Sequence, residues 1–340
     1  MGKKLKIGAL VSGGGSNLQS IIDACESGRI HGEVAFVGAD NPAAGGLLRA
    51  QKHGIPTFVV DYPEIIKKYK DDPLGFQTPD EFDLEKTLGR QSLFGIGHDS
   101  QKIKAFLITR AAAESLLLDH MGAFPFDLLV LAGFMRKLSP YIIDNLDKDP
   151  ALPCIMNIHP ALLPAFPGTD GYGDTLRYGC KVGGCTVHFV DYGEDSGPII
   201  GQRAFAIEPD DTLDSVKAKG LKLEWELYPA SIQLYAQNRL KVAEETVSTH
   251  DGGTATRRVA GKARNPEKLT LCQRFGMKLR KIRIITRHRV SNKNYTIKTH
   301  IFRIWCWTLA RINLAALLIR LDSPSILAAH RLRLLAYRAA

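Results

Sequence analysis

Apolar residues in the first sixty positions come in short runs separated by stretches with helical spacing. Residues 5–11 form one such run, which stops at Ser12-Gly13-Gly14-Gly15. From Ser16 onward the apolar positions Leu18, Ile21, Ile22 and Cys25 repeat as one face of a helix. Residues 33–39 predict a second strand, 43–53 a helix closed by Gly54 and Pro56, and 57–60 a third strand. This alternation predicts a parallel sheet with crossover helices. Between 61 and 125 the pattern weakens, and only 107–121 predicts a helix. Residues 126–132 are the clearest buried strand, ending at Gly133, and Ser139-Pro140 opens a helix because Pro suits the first turn. A strand over 155–158 runs into the Pro-rich turn 159–168. Strands at 185–190 and 199–207 follow, then a long helix over 210–237 whose acidic start suits the helix dipole.

Beyond residue 246 the rhythm stops and the charge changes. The chain carries a net charge of +10, yet about twenty Lys and Arg against three acids lie after Thr246, so the preceding part is acidic. Residues 1–245 are therefore read as one domain, with a long insertion around 62–125. Residues 246–340 are read as a basic extension, unfolded or of non-native origin such as a shifted reading frame. Lysines before the first apolar run imitate a secretion signal, but the run is too short. No stretch of about 18 apolar residues suggests a membrane span. The six cysteines form no CxxC pair and no zinc spacing, which points to reduced thiols, a cytoplasmic location and no metal.

Three groups of residues carry candidate chemistry. The loop Ser12-Gly13-Gly14-Gly15-Ser16-Asn17 joins a strand to a helix start, where backbone N–H groups can receive an anion and Ser16 can cap the helix. It matches neither the dinucleotide fingerprint nor the Walker pattern, and a plain turn remains the alternative. Asn157-Ile158-His159-Pro160 ends an apolar strand, and alternation sets Asn157 and His159 on one face. Sheet ligands gather at such carboxyl ends. Asp191-Tyr192-Gly193-Glu194-Asp195-Ser196-Gly197-Pro198 links two strands, and is an ordinary turn unless Asp195 faces His159. A carboxylate there would favour a protonated imidazole. His188, inside an apolar strand, is read as structural.

Together with Leu131-Ala132-Gly133-Phe134-Met135-Arg136, Leu138-Ser139-Pro140 and Ala161-Leu162-Leu163-Pro164, these segments resemble the glycinamide ribonucleotide formyltransferase family over residues 6–242. The resemblance implies a Rossmann-like α/β fold, a mostly parallel sheet with helices on both faces. It also implies formyl transfer from 10-formyltetrahydrofolate, as co-substrate, to the amine of glycinamide ribonucleotide in purine synthesis. It further implies Asn157, His159 and Asp195 as the catalytic trio, and Gly15, Ser16 and Asn17 at the substrate phosphate. Leu221, Lys222, Leu223 and Glu224 would contact the substrate, with Glu224 near the amine. Met135, Arg136, Lys137 and Leu138 would line the folate pocket with Asn157, and the loop of Asp191, Tyr192, Gly193, Glu194 and Asp195 would close over the pterin. A homodimer is allowed.

Two departures from the family pattern stand out. The region near Thr78-Pro79-Asp80 lacks the arginine expected on the folate side, and family members normally stop soon after the position of Val242. The nearest rival is a methionyl-tRNA formyltransferase, which carries a basic C-terminal domain. Against it, Phe166-Pro167-Gly168-Thr169-Asp170 lacks the arginine expected there, and the tail lacks the regular strands of a small barrel. A deformylase fits less well, since no domain precedes the first strand. The basic tail, with Phe275, Trp305 and Trp307, raises nucleic-acid binding as a separate reading, and residues 301–319 a membrane-surface helix.

Overall fold

Alternating apolar and helical segments fold as the spacing predicts. The computed structural model describes residues 3–95, 97–248 and 253–262, which belong to one unit. In chain order come β1 (Leu5–Val11), α1 (Ser16–Glu26), β2 (Gly32–Ala39), α2 (Gly45–Lys52) and β3 (Thr57–Val59). Next are α3 (Tyr62–Asp71), α4 (Leu84–Arg90), α5 (Ser100–Gly122), β4 (Leu128–Leu131), α6 (Pro140–Leu146) and β5 (Ile155–His159). Last are α7 (Gly171–Arg177), β6 (Val182–Phe189), β7 (Ile199–Ala206), α8 (Leu213–Ala236), β8 (Leu240–Ser248) and β9 (Thr254–Lys262).

The first seven strands form one sheet in the order β3-β2-β1-β4-β5-β6-β7. Pairings from β3 to β5 are parallel, whereas β6 pairs antiparallel with both β5 and β7. Strand alternation divides the core. Ile7, Ala9 and Val11 of β1 face one cluster with Leu18 and Ile21 of α1, Leu47 of α2 and Ile232 of α8. Leu10, Leu129 and Leu131 face the other, with Tyr62 of α3, Leu117 of α5 and Ile142 of α6. Strand order reverses between β1 and β4, and the loops leaving these strands are tied there. Ser12 N–H donates to the Gly133 carbonyl at 3.1 Å, and Ser12 Oγ accepts from Met135 N at 2.8 Å. Ligands bind at such switch points in open α/β sheets.

The weakly patterned stretch 61–125 is helical. Asp61, Asp83 and Asp99 cap α3, α4 and α5 through their side chains. The helix expected at 107–121 begins seven residues earlier, at Ser100 just after its Asp99 cap, and its inward face fills the second cluster. At the other end, the boundary expected between 245 and 246 falls inside β8. The whole of β8 pairs antiparallel with β9, Leu240 and Val242 are buried, and Val242 N–H donates to the Ala151 carbonyl at 2.8 Å. The basic tail beyond 262, with Phe275, Trp305, Trp307 and the span 301–319, lies outside the described residues. Among the described residues, no helix is long and apolar enough to cross a membrane.

Candidate active site

A cleft of about 410 Å³ opens at the carboxyl ends of β4 and β5, a size suited to a small-molecule ligand. Asn157 and His159 both line it, as their alternation on β5 predicts; Ile158, whose side chain packs into the first core cluster, also borders it. His159 is 2% exposed. Its Nδ1 lies 3.1 Å from Asp195 Oδ2, and its Nε2 lies 2.7 Å from the Phe166 carbonyl. Two acceptors on two ring nitrogens suit an imidazolium, which donates from both. Both residues that hold the ring sit in the left-handed region, Asp195 at φ 52° and Phe166 at φ 55°. A bulky residue there is strained, and such strain persists only where the surroundings enforce it.

Asp195 is also the meeting point of a second imidazole. His188 Nε2 lies 3.6 Å from Asp195 Oδ1 and 3.4 Å from Asn157 Nδ2, while its Nδ1 lies 2.8 Å from the Phe189 carbonyl. Register explains this, because Asn157 faces His188 directly across the β5–β6 pair. His188 thus borders the cleft while buried and hydrogen-bonded within the strand, a place compatible with its reading as structural. Burial of Asp195 works to raise its pKa, but the His188 contact, the His159 charge and the Gly168 N–H outweigh it and hold the carboxyl low.

On the α8 side, Leu221 and Glu224 line the cleft. Glu224 is buried, and both its oxygens are engaged: Asn17 Nδ2 donates at 2.7 Å and the Tyr172 hydroxyl at 2.5 Å. Tyr228, one turn further along α8, donates to the Met156 carbonyl at 2.8 Å and fixes the helix over the sheet centre. Tyr172 had no sequence signal beyond an aromatic residue in a Gly-rich stretch. Asn17 Oδ1 is buried with no partner, as a group awaiting a ligand would be.

The α1 start differs from expectation in one respect. Gly15, at φ 73°, occupies the cap position, and no side chain caps the helix, so Ser16 does not serve that purpose. A Cβ at 15 would meet Gly46 Cα at 2.7 Å. Uncapped first-turn N–H groups are available to an anion. Ser16, with Arg29, Arg49 and Lys222, lines a separate shallow cleft beside this turn.

Met135, Arg136, Lys137 and Leu138 line the other side of the main cleft, with Asp191, Gly193 and Glu194. Arg136 Nε donates to the buried Asp40 at 2.5 Å, and Lys137 pairs with Glu194 at 2.7 Å. Beneath them, Arg110 Nε donates to the Lys137 carbonyl at 3.1 Å, and Glu114 accepts from Ser139 N at 2.7 Å. Desolvation pushes the fully buried Glu114 carboxyl up to about 8. Five expected residues lie outside this cleft: Ser16 and Lys222 line the shallow one, and three face elsewhere. Gly15 lines neither cleft, Leu223 packs against the first core cluster, and Tyr192 turns its hydroxyl to Asp144 at 2.7 Å. Among the described residues, no group of His, Cys, Asp and Glu is arranged to hold a metal.

Residues 5–232 match the formyl transferase family model. The chain is 30% identical over 228 residues to the phosphoribosylglycinamide formyltransferase of Bacillus subtilis, covering 67% of this chain and 93% of that one. It is also 30% identical over 243 residues to the trifunctional purine biosynthetic protein adenosine-3 of Bos taurus, matching 71% of this chain but only 19% of that longer protein. Among solved structures, glycinamide ribonucleotide transformylase 1 from Symbiobacterium toebii superposes with a TM-score of 0.56 at 32% identity, covering 78% of this chain and 96% of that one. The chain belongs to the formyl transferase family and, within it, groups with the phosphoribosylglycinamide formyltransferases.

Proposed function

We propose that the protein transfers the formyl group of 10-formyltetrahydrofolate to the amine of glycinamide ribonucleotide, in the cytoplasm, as a step of purine synthesis. The observation that supports this most is the sharing of one cleft by the His159–Asp195 pair, Glu224 and the segment 135–138. Glu224, anchored by Asn17 and Tyr172, is a buried carboxylate suited to orient an amine. The uncapped α1 turn beside Asn17 suits a phosphate ester. The wall of Met135, Phe134 and Leu138 is apolar enough for a flat heterocycle. Cys25, Cys154, Cys180 and Cys185 are free, which suits a reducing compartment.

Chemically, the amine attacks the formyl carbon and negative charge develops on the formyl oxygen. Asn157 is the donor able to meet that charge from the end of β5, and His159, paired with Asp195, stabilises it. Collapse of the adduct breaks the bond between the formyl carbon and N10 of the folate; N10 leaves with a proton delivered by His159, and the attacking nitrogen gives up one proton to solvent, which reprotonates His159. For His159 to act directly, Nε2 must exchange the Phe166 carbonyl for the substrate, a local move of the turn at 166.

The test supplies 10-formyltetrahydrofolate with glycinamide ribonucleotide, methionyl-tRNA or water alone, and follows tetrahydrofolate release. Release only with the ribonucleotide supports the reading. Release with methionyl-tRNA, or equally without an acceptor, replaces it with the tRNA enzyme or a deformylase.

A further inference from the structure

Residues 91–95 lie in the long stretch between β3 and β4, outside every recognised motif. They nevertheless touch the loop that carries Asp195. Ser92 N–H donates to the Tyr192 carbonyl at 2.9 Å, forming an isolated parallel bridge between Ser92 and Gly193. Tyr192 is fixed at its far end, where its hydroxyl donates to Asp144 at 2.7 Å. Arg90 pairs with the same carboxylate and lies 5.8 Å from the Tyr192 ring centroid. Phe94 packs edge-on against Phe106 of α5 at 5.1 Å, and the Lys137 ammonium lies 5.8 Å from its ring. Lys137 closes the circuit by pairing with Glu194. Leu93, between these anchors, is 9% exposed and lines the cleft.

We propose that residues 91–94 clasp the 191–195 loop, with Ser92 and Tyr192 as positioning residues that hold Asp195 at His159, and with Leu93 as a specificity residue in the folate wall. The Leu93 role rests on the folate reading of the cleft. Asp195 sits at positive φ, a conformation that needs external constraint. The clasp supplies that constraint from a separate segment, through a backbone hydrogen bond and a half-buried aromatic anchored at its hydroxyl. A loop already in place loses less conformational freedom when the donor binds, so the clasp favours binding by pre-organisation. Leu93 stands on the donor side of the cleft, with Met135 and Leu138, and Glu224 on the acceptor side. Its effect should therefore fall on one substrate and not the other.

The test uses the full chain and four variants: Ser92→Pro, which deletes the donor N–H, Tyr192→Phe, Leu93→Ala and Leu93→Trp. Amide hydrogen exchange without ligands should find residues 192–195 protected in the wild type and at least about tenfold faster in Ser92→Pro. Tyr192→Phe, which removes one oxygen and keeps the ring, should accelerate exchange in the same loop and carries this arm if the proline variant does not fold. Leu93→Ala should raise KM for 10-formyltetrahydrofolate about tenfold, leave KM for the ribonucleotide within about twofold, and leave loop exchange unchanged. Leu93→Trp should block the donor more severely. Unprotected loop amides in the wild type, or no acceleration in Ser92→Pro and Tyr192→Phe, would overturn the clasp. Equal effects of Leu93→Ala on both KM values would overturn its specificity role. Absence of formyl transfer by the wild type would overturn the folate reading together with the Leu93 assignment, while the clasp is judged by exchange alone.

Discussion

Asp195 meets His159 with its Oδ2 3.1 Å from Nδ1, and the opposite ring nitrogen rests on the Phe166 carbonyl. His159 is buried and Asp195 nearly so, and the pair is held from two turns in the left-handed region. Because the Asp195 pKa is lowered in the folded protein, its stabilising contribution is present above the unfolded carboxylate value. It is lost only as pH falls through the lower folded one. At neutral pH Asp195 is therefore an anion.

Asp195→Asn should keep the fold and lower turnover by at least about 10²-fold, as loss of electrostatic or acid–base assistance does. His159→Ala should be at least as severe. The double variant should be less than additive, because the pair acts as a unit. Steady-state kinetics on the three variants checks this, and near-normal turnover in Asp195→Asn would leave Asp195 a turn residue.

Tyr172→Phe should weaken the acceptor side. It leaves Glu224 Oε1 without its donor inside a buried site, at a cost of about 1–3 kcal/mol. The expected result is a kcat/KM for the ribonucleotide reduced about tenfold, with little change in KM for the folate. Equal changes for both substrates would contradict the placement of Glu224 at the amine.

Glu114 gives a pH signature in the opposite sense to Asp195. Its folded pKa is raised from 4.5 to about 8, so its contribution is complete below the unfolded value and is lost as pH rises through the folded one. Thermal unfolding of the wild type should shift downward between about pH 5 and about pH 8 and level off above that. Glu114→Gln, which resembles the protonated acid toward Ser139, should flatten that shift. An unchanged slope in the variant would show that another group is responsible.

Truncation separates the hairpin from the tail. Ending the chain at Lys262 should preserve turnover, since every residue lining the cleft lies between Asn17 and Glu224. Ending it at Val242 removes β9 and most of β8 and should lower the unfolding temperature. Loss of turnover in the longer truncation would show that the basic tail takes part in the reaction.

Much of this was legible from the chain. β1, β4 and β5 are short apolar runs bounded by Gly or Pro, and the His159–Asp195 pairing followed from motifs in family order. What escaped detection depended on tertiary contacts. β9 mixes Thr and Arg with few apolar positions, so its pairing with β8 leaves little trace. His188 reads as a core residue because both its strand neighbours are apolar, and only the register with Asn157 shows that it borders the cleft. On α8, a contiguous segment 221–224 cannot all face one cleft. Helical geometry puts Leu221 and Glu224 together, three residues apart, and turns Lys222 and Leu223 away. Leu93 has no pattern at all, since its place depends on anchors at Lys137, Asp144 and Tyr192, each more than 40 residues distant in sequence, as well as on Phe106.

The central claim concerns where the formyl group goes. The most direct measurement is to supply 10-formyltetrahydrofolate carrying an isotopic label in the formyl carbon, and to follow that label by mass spectrometry in a mixture of glycinamide ribonucleotide and methionyl-tRNA. The account predicts label in the ribonucleotide amide alone, with transfer lost in His159→Ala. Label in the tRNA, or released as formate, would contradict it.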